Sequence, residues 1–169
     1  MNSATFGFTN CSRFTTCVNI KLVREGAKVP TKEFPNSAGY DICNPMDVQV
    51  PAGRSAVKLG FCIEMLPGIG MFSLSRSGIG LKGILGYASR EAMLAGDKPR
   101  RFECNVKIGL ADADFRGECS AIMHNHDRSF FLPEGANLCQ VVFLPVLDAE
   151  FSLVDELSPS DRGEQGFHS

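Results

Sequence analysis

Apolar residues in this chain fall in short runs punctuated by Gly, Pro, Asn and Asp: VNIKLV (18–23), MDVQV (46–50), SAVKLGFCIEML (55–66), GMFSLS (70–75), NVKIGL (105–110), CSAIMHNH (119–126), SFFL (129–132) and LCQVVFLPVL (138–147). Val18, Ile20 and Leu22 alternate with Asn19, Lys21 and Val23, and Met46 to Val50 repeats the period of two that buries one face of a strand. Short strands at this spacing predict an all-β sandwich or barrel. Val50-Pro51-Ala52-Gly53, Leu66-Pro67-Gly68 and Leu132-Pro133-Glu134-Gly135 read as tight turns, in which Pro fixes one φ and Gly is free to take a positive one.

One segment reads as helix. Ser89 can cap Arg90-Glu91-Ala92-Met93-Leu94-Ala95, and Gly96-Asp97 stops it; so short a helix is marginal alone, and a surface loop with one helical turn fits the same residues. Residues 1–17, rich in Thr, Ser and Asn, read as a flexible N-terminal extension. Residues 158–169, polar and Gly-containing, read as a mobile C-terminal tail, leaving the folded domain at 18–157.

Composition narrows the class. The 169 residues make one domain. Lys plus Arg number 17 and Asp plus Glu 19, without a block of either sign, which disfavours stable nucleic-acid binding. The seven cysteines, Cys11, Cys17, Cys43, Cys62, Cys104, Cys119 and Cys139, are odd in number and contain no Cys-x-x-Cys pair, against both a disulfide framework and a thiolate zinc site. No stretch resembles a signal peptide or a membrane span, so the chain is expected to be soluble and intracellular, with reduced thiols and no membrane partner.

Four segments can carry chemistry. Ser75-Arg76-Ser77-Gly78-Ile79-Gly80 combines a guanidinium, hydroxyls and glycines in a turn that can bind phosphate, although the same composition is ordinary in loops. Asp112 and Asp114, at i and i+2, can orient water or bind Mg²⁺, or can satisfy turn backbone. His124 and His126 share a strand face, so a metal site with Asp127 and Asp112 or Asp114 is conceivable; solvated histidines before a polar turn are the plainer reading. Arg162 to Phe167 sets a cation and an aromatic ring among glycines, which suits a tail that closes over a ligand or one that merely frays.

Taken in order, the segments resemble the five motifs of the trimeric dUTPase family, from about residue 18 to Phe167. Ser37-Ala38-Gly39-Tyr40-Asp41-Ile42 looks like the first motif, Ser75 to Lys82 the second, Gly109 to Gly117 the third, Gly135 to Gln140 the fourth and Arg162 to Phe167 the fifth. The resemblance implies a jelly-roll type β-barrel and a homotrimer with shared active sites. It also implies hydrolysis of dUTP to dUMP and pyrophosphate with Mg²⁺, which limits uracil incorporation into DNA and supplies dUMP for dTMP synthesis. By similarity, Asp112 would position and deprotonate the attacking water, with Gln140 beside it and the α-phosphate. Asp41 would hold a water of the Mg²⁺ shell. Arg76, Ser77 and Gly78 would contact the phosphates, the backbone from Val106 to Gly109 would read uracil, and Phe115 would pack under the deoxyribose. Arg162, Gly166 and Phe167 would cover the site from another subunit.

The chain departs from the family pattern at several places. Phe115 stands for the usual Tyr, Ser75 for the usual Pro, and the fifth motif stops at His168-Ser169, so closure and turnover are where its behaviour is expected to differ. An insertion at 83–104 joins the phosphate turn to the base-reading hairpin and is expected at the rim of the site, as a lid or a surface for a protein partner, or as a tolerated loop. A catalytically weak dUTP-binding regulatory module acting through that insertion is the alternative to the enzyme.

Overall fold

The structure is a computed structural model and describes residues 15–166. Thirteen strands and two short helices follow in the order β1 (Val18–Leu22), β2 (Tyr40–Cys43), β3 (Val48–Val50), β4 (Gly53–Lys58), β5 (Phe61–Met65), β6 (Ile69–Leu74), α1 (Ser77–Lys82), β7 (Ile84–Gly86), α2 (Arg90–Leu94), β8 (Arg100–Phe102), β9 (Cys104–Val106), β10 (Gly109–Ala111), β11 (Ser120–Asn125), β12 (Phe130–Leu132) and β13 (Asn137–Pro145). Every strand pairing is antiparallel. The strands form five small sheets, in the orders β10-β6-β13-β2, β4-β11-β9, β1-β5, β12-β3 and β7-β8.

Alternation builds the core. Val57, Phe61, Ile63, Met65, Ala121 and Met123 point inward from β4, β5 and β11, while the residues between them face outward. Phe130, Leu132, Leu138, Cys139 and Val141 close the opposite side, and Phe102 stacks on Phe130 with ring centroids 4.5 Å apart. The three Pro-Gly turns form where expected, with Gly53, Gly68 and Gly135 all at positive φ. Ser89 caps α2, its Oγ accepting the Ala92 N–H at 3.2 Å.

Several local expectations change. The run 55–66 is two strands, because Leu59-Gly60 turns the chain, and the run 105–110 divides at Lys107 and Ile108. Residues 146–166 carry neither strand nor helix. Ser77 to Lys82 is helical despite two glycines, with Ile79 buried against the core and Gly83 ending the helix at φ 77°. The insertion is more than a loop: β7 and β8 pair, and Tyr87 exchanges both backbone hydrogen bonds with Phe131, so its foot is part of the core. The described cysteines are all free, and burial pushes the Cys104 and Cys139 thiols up to about 12 and Cys119 to about 11, which leaves them inert. No helix among the described residues is long and apolar enough to cross a membrane.

Candidate active site

The centre of the four-stranded sheet sets the site. On β13, Gln140 lies opposite Asp41 of β2 on one side and Leu74 of β6 on the other, so these three side chains share a face. The chain leaves β6 through Ser75 and Arg76 and at once enters α1. Here the first-turn N–H groups of Ser77 and Gly78 have no intrahelical acceptor. Asp41, Gln140, Arg76, Ser77 and Gly78 thereby line one cavity of about 490 Å³, joined by Gly39 and Glu33.

Its polar groups hold one another. Gln140 Nε2 donates to the Ser75 carbonyl at 3.3 Å. A Cβ at Gly39 would stand 2.8 Å from Gln140 Oε1, so a larger residue there would displace the Gln140 amide. Arg76 Nε lies 3.1 Å from Asp41 Oδ1 and Nη2 lies 3.4 Å from Glu33 Oε2. The sequence reading missed Glu33. Nothing local marks it, and it reaches Arg76 because Thr31 bridges Asp41 in backbone register.

The third-motif segment lies elsewhere. Gly109 faces Ser73 and Ala111 faces Met71, so β10 runs down β6 away from Arg76. Asp112 follows Ala111 and is exposed, roughly 10–13 Å along the strand from the Leu74–Gln140 level. It accepts the Phe115 N–H through its backbone carbonyl, and the half-exposed Phe115 ring lies over Gly117. Val106 is tied to the second motif, its N–H donating to Ser75 Oγ at 3.1 Å. Arg162 Nε donates to the Gln165 carbonyl within the tail, and Gly166 is half-buried. Phe167 lies outside the described residues.

Other candidates resolve as follows. The rings of His124 on β11 and of His126, one residue past its end, are 3.9 Å apart, but among the described residues no group of three or more His, Cys, Asp or Glu is placed to hold a metal. A larger cavity, about 820 Å³, lies behind Tyr40 and is walled mainly by apolar residues including Val18, Ile63 and Phe143; it contains none of Asp41, Arg76 and Gln140. The insertion contributes Arg101 and Phe102 to a neighbouring cavity beside α1, and none of residues 83–104 lines the Asp41 cavity.

Fold and cleft together define an all-β protein whose polar cleft sets one guanidinium, Arg76, between two carboxylates beside the first turn of α1, donors that suit a phosphate carrying its own cation. Comparison with known proteins makes this particular. The dUTPase family model matches residues 25–91 and 87–169, two parts that meet inside the insertion. A deoxyuridine 5'-triphosphate nucleotidohydrolase of Shewanella oneidensis is 33% identical, over 90% of this chain and 95% of that protein. One from Crocosphaera subtropica is 31% identical over 90% and 96%. Among solved structures, the Staphylococcus bacteriophage 80alpha dUTPase with dUpNHpp superposes with TM-score 0.72 at 21% identity, covering 90% of this chain and 97% of that one. A dUTPase from phage phi11 of S. aureus, described for its species-specific insert, superposes with TM-score 0.66 at 18% identity over 83% and 97%. The chain belongs to the dUTPase family, and its fold is the family's all-β jelly roll.

Proposed function

We propose that this chain hydrolyses dUTP to dUMP and pyrophosphate. The observation that carries the reading is the joining of Asp41, Gln140, Arg76, Ser77 and Gly78 round one cavity, in a chain that matches the family over most of its length. Arg76, with the hydroxyl and N–H of Ser77 and the N–H of Gly78, binds the triphosphate. Gln140 donates beside the α-phosphate, where negative charge grows in the transition state. Asp112 takes the proton of a water whose oxygen bonds to the α-phosphorus, while the bond from that phosphorus to the bridging oxygen breaks and pyrophosphate leaves.

Mg²⁺ fits the donor chemistry, since Asp41 and Glu33 present hard carboxylate oxygens to the cavity and the ion takes the rest of its shell from water and phosphate. Asp41 would hold it through a water, and bound there it would offset phosphate charge. The Val106 to Gly109 backbone reads the base, and Phe115 excludes a 2′-hydroxyl by its bulk. A homotrimer is part of this reading. Asp112 and Arg76 stand at different levels of β6, which suits a site whose carboxylate base comes from one subunit and whose phosphate turn comes from its neighbour. Arg162, Gly166 and Phe167 of a tail then cover the bound nucleotide. The enzyme works as a soluble intracellular protein on the free nucleotide pool.

The test is pyrophosphate release from dUTP, UTP, dCTP and dTTP with Mg²⁺. Hydrolysis confined to dUTP and lost in Asp112→Asn supports the reading. Mixing refolded Asp112→Asn and Arg76→Ala chains should restore part of the activity, because some mixed sites draw both intact residues from different subunits. Activity on all four nucleotides, or none on dUTP, overturns it.

A further inference from the structure

The Arg76 guanidinium lies between two carboxylates, Asp41 at 3.1 Å and Glu33 at 3.4 Å. Asp41 sits on a sheet strand, whereas Glu33 comes from the loop before β2 and belongs to none of the five motifs. Its place is nevertheless set by the backbone. Thr31 and Asp41 exchange hydrogen bonds at 3.3 and 2.6 Å. Lys32 then turns away, its ammonium 4.8 Å from the Tyr40 ring centre, which leaves the next side chain on the Arg76 side. A turn follows at once, closed by the Phe34 N–H to Ser37 Oγ and by the Ser37 N–H to the Phe34 carbonyl.

Exposure decides what such a pair can do. The Glu33 side chain is 60% exposed and that of Arg76 25%, so the contact favours the paired state by about fivefold at most and yields to a stronger anion. A triphosphate is one, with more charge and a geometry that suits the guanidinium fork. Once it takes Arg76, Asp41 and Glu33 lose their shared cation and face phosphate charge across the same cavity. That repulsion disappears when the phosphates bring a divalent cation, and carboxylate oxygens are the donors Mg²⁺ accepts, directly or through water.

We propose that Glu33 is a positioning residue that makes nucleotide binding depend on magnesium. It holds Arg76 beside Asp41 while the site is free. It disfavours entry of metal-free phosphate, and it accepts the metal-loaded nucleotide, whose cation would offset the repulsion that Asp41 and Glu33 exert once Arg76 turns to the phosphates. This deepens the dUTP reading above and rests on it.

The experiment is calorimetric binding of a non-hydrolysable dUTP analogue, the α,β-imido form, with Mg²⁺ and with EDTA, to the wild-type chain, Glu33→Gln and Glu33→Asp. In the wild type Mg²⁺ should tighten binding. In Glu33→Gln the ratio of the metal-free to the metal-loaded Kd should fall by roughly three- to fivefold, the scale of one partly exposed ion pair. Glu33→Asp should recover part of that ratio. A purely structural role for Glu33 would move both affinities together, and an unchanged ratio in Glu33→Gln overturns the proposal while leaving the dUTP reading intact. Failure of the wild type to bind the analogue in either condition overturns both.

Discussion

Ser75 Oγ accepts the backbone N–H of Val106 at 3.1 Å, linking the turn that carries Arg76 to the hairpin proposed to read the base. Val106 is buried, so its N–H needs this partner. Ser75→Ala should therefore raise KM for dUTP by about two- to tenfold, the range of one net hydrogen bond, with a smaller effect on kcat. Steady-state kinetics over a range of dUTP checks it, and a change confined to kcat would count against the link.

Gly39 and Gln140 are in close apposition. A methyl group at Gly39 meets Gln140 Oε1 at 2.8 Å, and the amide that must yield is the one anchored on the Ser75 carbonyl. Gly39→Ala should lower kcat by roughly ten- to a hundredfold, since small displacements of a group acting on the reacting centre are costly. Its melting temperature should stay close to that of the wild type, because the side chain that moves is only half-buried.

The insertion has a structural foot and a lightly held tip, where Arg90 meets Asp47 at 3.3 Å in an exposed ion pair. Phe102 is 1% exposed and stacked on Phe130, so Phe102→Ala should cost about 3–5 kcal/mol in urea unfolding. Replacing residues 89–97 with a short Gly-containing turn should cost far less, as loop length enters stability only logarithmically. Excising all of 86–103 would remove Phe102 with the tip and so confuse the two effects. If the tip acts as a lid, the shorter replacement changes kcat or KM; unchanged kinetics would end that idea.

His124 predicts a pH effect. Burial first, and then the positive charge of His126, Lys107 and Arg54, hold its imidazole below the ordinary 6.5, and its Nδ1 is buried without a hydrogen-bond partner. The folded chain then binds this proton less readily than the unfolded chain. The stabilising contribution is complete above pH about 6.5 and is lost as pH falls through the lower folded-state pKa. The melting temperature should decline from about pH 7.5 to about 5.5, and more gently in His124→Gln. Parallel declines would assign the effect to other groups.

How much of this was legible in the sequence depends on whether the cause is local. The alternation of Val18 and Ile20 and the Pro-Gly turns at 51–53, 67–68 and 133–135 are local, and they fold as read, whereas Leu22 at the end of β1 is exposed. Ser77 to Lys82 did not read as helix because two glycines oppose one. Burial of Ile79 and the cap at Gly83, where a Cβ would meet the Phe102 carbonyl at 2.2 Å, supply what local preference lacks. Arg100 and Arg101 carry no local strand signal, yet they lie on β8, since the ladder to Ile84–Gly86 and the Arg100 guanidinium over the Phe102 ring come from pairing across the insertion. Family resemblance supplied Asp41, Arg76 and Gln140 as site residues. Glu33 and the displacement of Asp112 along β6 depend on strand register, which no motif records.

The tip helix α2 buries none of its residues, while at the foot of the same segment Gly86 has no room for a side chain against Phe130. Selection for folding therefore acts on the stalk and leaves the tip free to drift. Descendants of this chain would keep the stalk and differ at the tip, and foreign sequence placed between Leu94 and Lys98 would be carried as cargo.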